Sequence, residues 1–350
     1  MPTPTIPAGN LFMNATTYTG NGATQTITNG AAGASFQPDL VWGKARSAAT
    51  SNEFYDSIRG VSKSLLSNTT GAENNWAPYG VTAFNTNGFS VNDIASNGYG
   101  INETGVTYVG WQWKAGGTAV SNTAGSLTSQ VSANTTSGFS VVTYTGNGTI
   151  GATVGHGLGV APSMFIVKQR SSAGESWATY HISIGATKYL DLNGTAAAST
   201  SISRWNNTAP TTTVFSLYND TATNGNSSTY VAYCWAPIAG YSAFGSYVGN
   251  GSSNGPFVYL GFRPKFVMIK ISSGTVDSWF LLDTSRDTYN VAGLDLIAND
   301  SYSETDDRPV LDFLSNGIKM RCTYNGLNAS GSTYIYAAFA ETPLKFSNAR

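Results

Sequence analysis

The pentapeptide YTGNG at 18–22 returns as YTGNG at 144–148 and as YVGNG at 247–251. Three copies of one small polar motif oblige the chain to build the same corner three times. Asn-Gly pairs serve turns, because glycine accepts positive φ and asparagine tolerates it. The tyrosine then ends a strand and GNG forms its exit. No GxxxxGK[ST] follows, so the motif is not a phosphate loop.

The rest of the sequence aligns on these corners. FQPDLVWGKAR (36–46), VAPSMFIVKQR (160–170) and FRPKFVMIKIS (262–272) each carry a proline six residues before a lysine: Pro38/Lys44, Pro162/Lys168 and Pro264/Lys270. Proline is tolerated at the head of a strand, and the β-branched and aromatic residues after it favour one. Aromatic blocks follow, FYDSIRG (54–60), WATYHIS (177–183) and WFLLDTSRD (279–287). Leucine segments come next, SLLSN (64–68), YLDLN (189–193) and LDLIAND (294–300). NGFSVND, TVFSLYND and NGIKMRC lead to a closing strand headed by Thr-Tyr, with an aromatic five residues after the tyrosine: Trp113, Trp235 and Phe339.

Almost no window has helical periodicity. Strands of five to eight residues punctuated by Asn-Gly, Gly-Asn and Asp predict an all-β, antiparallel chain. The expectation is three tandem β-sandwiches of jelly-roll type, each of roughly a hundred residues. A closed barrel is the alternative. The boundaries fall at 1–115 (arm plus first repeat), 116–137 (linker), 138–240 and 241–350. Segment 116–137 is rich in Gly, Ser, Thr and Asn and reads as a linker or a surface-draped extension. MPTPTIPAGNLF, with its alternating prolines, reads as an extended arm; it lacks the basic and apolar regions of a secretory signal.

Charged residues make up only 11% of the 350 residues and the formal net charge is −1, against roughly 25% charged residues in an average domain. No basic stripe exists to neutralise phosphates, which argues against nucleic-acid binding. No apolar run reaches the roughly 18 residues of a membrane helix, so no membrane insertion is expected. Cys234 and Cys322 are too few for a disulfide scaffold or, alone, a zinc site. They read as small buried residues, with a bridge between them left open. The Asn-x-Ser/Thr triplets at Asn147 and Asn193 follow from Asn/Thr richness.

Chemistry is sparse. His156 and His181 are the two histidines. His156 reads as part of a flexible turn, and His181 as a surface replacement for the aspartates that stand there in the other copies, Asp56 and Asp283. There is no HExxH, and the chain is expected to be no enzyme, with no catalytic residues, no metal and no cofactor. The acid-rich loop 300–309, with Asp300, Glu304, Asp306 and Asp307, reads as solvated; the sharper alternatives are a carboxylate pair for glycoside hydrolysis or a calcium site. Asp56/Arg59 recurs as Asp283/Arg286, which suits a local ion pair fixing a turn. The sharper reading is a glycan contact, in which these acceptors and donors work beside a stacking ring from Tyr55 or Trp279. Lys44, Lys168 and Lys270 read as strand ends facing water.

Together YTGNG, PDLVWGKAR, YDSIRG, NGFSV and TYVGWQWKAGG in the first copy, SANTTSGFSVVTYTGNG and GHGLGVAPSMFIVKQR in the second, and GFRPKFVMIK, DFLSNG and YAAFAETP at the end resemble an uncharacterised repeat domain of structural proteins from marine and freshwater bacteriophages. The resemblance spans roughly 15–345. It implies a virion component, with a tail-fibre or adhesin subunit touching host surface glycans as the first expectation. The alternatives are a capsid decoration protein with its arm along a groove and, less favoured, a polysaccharide depolymerase. It implies other virion proteins as partners, met through the arm, and a homo-oligomer such as a trimer.

Overall fold

Pro38, Pro162 and Pro264 each lead a strand: Leu40–Ala45, Met164–Gln169 and Pro264–Ser273. These runs lack the alternation of a half-exposed strand because both their faces are covered; Leu40–Ala45 and Met164–Gln169 are buried at every position. The computed structural model describes residues 9–29, 35–93 and 100–340.

Three large antiparallel sheets share one strand order. In the first, the opening strand Met13–Thr19 pairs with the closing strand Thr107–Trp113, then come Leu40–Ala45, Glu53–Asp56 and Lys63–Leu66. The second repeats this with Phe139–Thr145, Thr229–Trp235, Met164–Gln169, Ala178–His181 and Lys188–Asp191. The third has Ser242–Val248, Thr333–Ala340, Pro264–Ser273, Trp279–Asp283 and Leu296–Ile297. Register agrees as well: Tyr18 lies opposite Tyr108, Tyr144 opposite Tyr230 and Tyr247 opposite Tyr334. Each pair stacks with ring centroids 5.3, 5.1 and 5.0 Å apart.

Each large sheet also carries a small one built from the segments between its strands. These are Gln25–Ile27 with Gly88–Asn92 and Gly80–Asn85, Thr153–Gly155 with Val214–Ser216, and Phe257–Tyr259 with Gly317–Met320 and Leu311–Leu314. In the first unit Val41, Tyr55 and Tyr108 of the large sheet pack on Ile27, Phe89 and Val91 of the small one, a sandwich whose period-2 alternation sends every second side chain outward.

The other side chains point to a centre common to all three units. One cluster joins Trp42, Trp111 and Trp113 of the first unit, Met164, Ile166 and Trp235 of the second, and Phe266, Met268 and Phe339 of the third. The aromatics that close the three copies meet there: Trp113 lies 6.0 Å from Trp235 and 5.6 Å from Phe339, both edge-on. The cavity left between them is ≈ 10 Å³, so the axis is packed solid. The boundaries at 115 and 240 therefore separate sheets, while one central core runs across both of them.

Segment 116–137 is a correction to the linker reading. It contributes Val120–Asn122 and Ser129–Asn134, which extend the second sheet on the outer side of Phe139–Thr145. Its polar residues suffice because an edge strand is held by backbone hydrogen bonds. Residues 1–8 of the expected arm lie outside the described residues, as do 341–343 of the closing motif. Gly9–Leu11 forms a 3-10 turn. It sits so close to the third unit that a Cβ on Gly9 would fall 2.9 Å from the Ala340 carbonyl oxygen. Cys234 and Cys322 are separate, free and buried.

Candidate functional site

At each YxGNG corner the last glycine takes a positive φ, 67°, 68° and 68° at Gly22, Gly148 and Gly251. A buried asparagine clamps the turn. The side-chain oxygens of Asn102, Asn224 and Asn328 accept the backbone N–H of Asn21, Asn147 and Asn250 at 3.2, 3.0 and 2.9 Å, and their carbonyls accept from Gly22, Gly148 and Gly251. Each stands five residues before the Thr-Tyr of the closing strand. That spacing is the signal by which the sequence reading could have found them.

The lysines are a second correction. Lys44, Lys168 and Lys270 are all fully buried. Lys44 Nζ donates to the carbonyls of Thr50 in its own unit (2.6 Å) and Ser301 in the third (2.9 Å). Lys168 does so to Glu175 (2.7 Å) and Thr70 of the first unit (3.2 Å). Lys270 donates to Ile271 and to Thr195 of the second unit, both at 3.0 Å. The first unit thus reaches the third, the second the first, and the third the second. Burial lowers the three ammonium groups to about 8, with Asp300, Glu175 and Asp277 opposing it respectively.

The six residues read as a glycan contact belong to these seams or to the interior. Tyr55 is buried, and its hydroxyl donates to Glu53. Asp56 and Arg59 pair beneath the surface, and Tyr233 of the second unit donates to Asp56 at 2.8 Å. Glu73 bridges Arg59 (3.1 Å) and Arg170 of the second unit (2.8 Å). At the seam of the third unit with the first, Asp283 pairs with Arg286 at 2.6 Å and accepts from Trp111 Nε1 at 3.0 Å. Glu304 joins Arg286 (2.9 Å) to Arg46 (2.7 Å). Burial raises the Asp283 carboxyl, but Arg286 and Trp111 together hold it below its ordinary value. Trp279 donates through Nε1 to the Asp191 carbonyl of the second unit at 3.0 Å. None of the six faces solvent, so they are no exposed patch.

The seam between the second and third units keeps its buried lysine but lacks the acid–arginine chain of the other two. Where the other seams have Asp, Arg, Glu and Arg, it has His181, Ile184, Ala198 and Ser272. The backbone contact is kept: Ala198 N–H donates to the Ser272 carbonyl at 3.1 Å, as Glu73 does to Arg170 at 3.0 Å and Glu304 to Arg46 at 2.8 Å. His181 is fully buried, not at the surface, with Nε2 at 3.1 Å from the Tyr336 carbonyl oxygen. Burial lowers its imidazole to about 4. His156 is also buried, with Nε2 3.1 Å from the Thr211 carbonyl oxygen and Nδ1 accepting from Leu158 N–H.

The acid-rich loop is a strap between units, held by Glu304 and by Asn52 Nδ2 donating to the Asp300 carbonyl at 2.8 Å. No group of three His, Cys, Asp or Glu residues suited to a metal ion occurs among the described residues.

With these groups committed inside, the candidate site is a groove of ≈ 340 Å³ on the third unit, lined by Ser253, Arg308, Pro309, Arg321, Cys322, Thr323 and Tyr324. The Arg308 guanidinium lies 4.3 Å from the Tyr324 ring centroid and is held by Asp295 at 2.6 Å and Asp307 at 2.8 Å. Arg321 pairs with Asp312 at 3.0 Å. Guanidinium donors, the hydroxyls of Ser253, Thr323 and Tyr324, and an aromatic ring suit a ligand rich in hydroxyls. The sequence reading named Asp307 in this region but missed Arg308, Arg321 and Tyr324.

Residues 8–343 match the sequence model of a family described as a domain of unknown function, DUF7483. The chain belongs to that family. The DUF7483 match runs through all three units. No curated protein and no solved structure matches the chain.

Proposed function

We propose that this chain is a non-enzymatic structural protein of a bacteriophage particle, a tail-fibre or adhesin subunit that touches host surface glycans. The observation that carries the reading is the distribution of chemistry. Two ion pairs, Arg170–Glu73 and Arg46–Glu304, join neighbouring units, and the fully buried pairs Asp56–Arg59 and Asp283–Arg286 lie behind them, while the third unit keeps an open groove of arginine, tyrosine and hydroxyl groups. Motif resemblance supplies the viral context. Arrayed copies of a weak site gain avidity through effective concentration, which suits a fibre.

A glycan array tests the site. Wild-type protein binds a subset of saccharides and Tyr324→Ala loses them; a blank array overturns the glycan reading. Antibody labelling of whole particles tests the position. Label at the tail is expected, and label on the head replaces the adhesin with a decoration protein.

A further inference from the structure

The three small sheets invite comparison because their edge strands occupy equivalent places. Ile27, Val154 and Val258 lie opposite Phe89, Phe215 and Ile318. Backbone groups alternate along a strand. Around Val258, Met320 N–H donates to the Pro256 carbonyl and Leu260 N–H to the Asn316 carbonyl, which turns the N–H and C=O of Phe257 and Tyr259 to the open edge. The corresponding residues are Thr153 and Gly155 in the second unit.

In the second unit that edge is taken by the chain itself. Leu127 forms a parallel bridge with Val154, and its N–H donates to the Thr153 carbonyl at 3.0 Å. Thr153 N–H donates to Ser126 Oγ at 2.9 Å, and Ser129 Oγ to the Gly155 carbonyl at 2.9 Å. Gly125 is required there, since a Cβ would stand 2.4 Å from the Thr153 carbonyl oxygen. Leu127 drops into the unit's core. In the third unit the same edge bears Phe257 and Tyr259, 48% and 55% exposed, where the first unit has Thr26 and Thr28. Residues 236–262 contain no charged side chain. Open edges are ordinarily guarded by lysine, proline or a bulge; here Pro256 precedes the strand, but the two outward-facing positions themselves carry aromatic rings.

We infer that Phe257–Tyr259 is a strand-addition site. It takes an extended, uncharged peptide from another polypeptide, with glycine two residues before leucine, laid parallel to the edge as residues 125–129 lie on Thr153–Gly155. Main-chain hydrogen bonds supply the attraction and the two aromatic side chains the selectivity. This surface is separate from the groove at Tyr324 and does not depend on glycan binding.

The test uses the full chain and a fluorescein-labelled peptide with the sequence of residues 124–130, AGSLTSQ. The expected result is a saturable rise in anisotropy with slowed amide exchange at Phe257 and Tyr259. Tyr259→Pro removes one outward N–H without touching the ladder to Gly317–Met320 and should abolish the rise. Independently of any protein variant, peptides with Leu→Ser or Gly→Val should also lose it. Absence of saturable binding overturns the inference, as does binding unchanged by Tyr259→Pro or with protection appearing at Thr153 instead. A saccharide, rather than the peptide, protecting these amides overturns it too.

Discussion

Asn102, Asn224 and Asn328 each tie a corner to the approach of the closing strand, 81, 77 and 78 residues away. Asn328 Nδ2 donates to Ser252 O and Cys322 O, both at 2.8 Å, while its oxygen holds Asn250 N–H. Truncation leaves several of these groups buried and unpaired, at about 1–3 kcal/mol for the most costly. Asn328→Ala and Asn224→Ala should each lower stability by about 3 kcal/mol in chemical denaturation, with Asn147→Ala, at an exposed corner, costing far less. Asp283→Ala leaves Arg286 charged within the protein and should cost roughly 3–5 kcal/mol. The tyrosine and glycines of each corner were legible in the sequence because the motif is local. The clamp was not, because its two halves meet only after the chain has returned through the closing strand.

Proline-led, aromatic and leucine strands were legible as elements, since each is a short β-rich run bounded by turn residues. What faces them was not. A lysine ending an apolar strand reads as solvated, and only the carbonyls of Ser301, Thr70 and Thr195, contributed by neighbouring units, show why Lys44, Lys168 and Lys270 are inside. Their titration gives a signed prediction. Below pH 8 both folded and unfolded chains hold these protons, and the cost of burying the charge is fully present. Between about pH 8 and 10.5 the unfolded chain binds more protons, so stability rises with pH, by up to about 3 kcal/mol per lysine. Above about pH 10.5 it falls again, because burial keeps Tyr18, Tyr144, Tyr233 and Tyr247 protonated in the folded state only. Urea midpoints should therefore climb from pH 7 to 9.5, and each Lys→Met variant should lose about a third of the climb. The seam without an acid–arginine chain responds to acid. His181 is held to about 4, so its contribution is complete above pH 6.5 and is lost as pH falls toward 4, by about 3 kcal/mol. His181→Gln should flatten that part of the profile; an unaltered acid limb would contradict the assignment.

For the whole molecule, three sheets of one topology close on each other in a ring, each gripping its neighbour through a lysine, an asparagine or tryptophan, and a strap of backbone. Repetition was visible in the sequence, but closure was not, because similar copies serve equally well as beads on a string. The shared aromatic axis makes the difference. Removing Trp113 should cost about 3–5 kcal/mol, as for any large buried aromatic, and should weaken all three units together. Calorimetry of the full chain tests this most directly. The account predicts one transition whose van't Hoff enthalpy equals the calorimetric enthalpy. Separate transitions, or a van't Hoff enthalpy near a third of the calorimetric value, would show that the three units melt independently and contradict it.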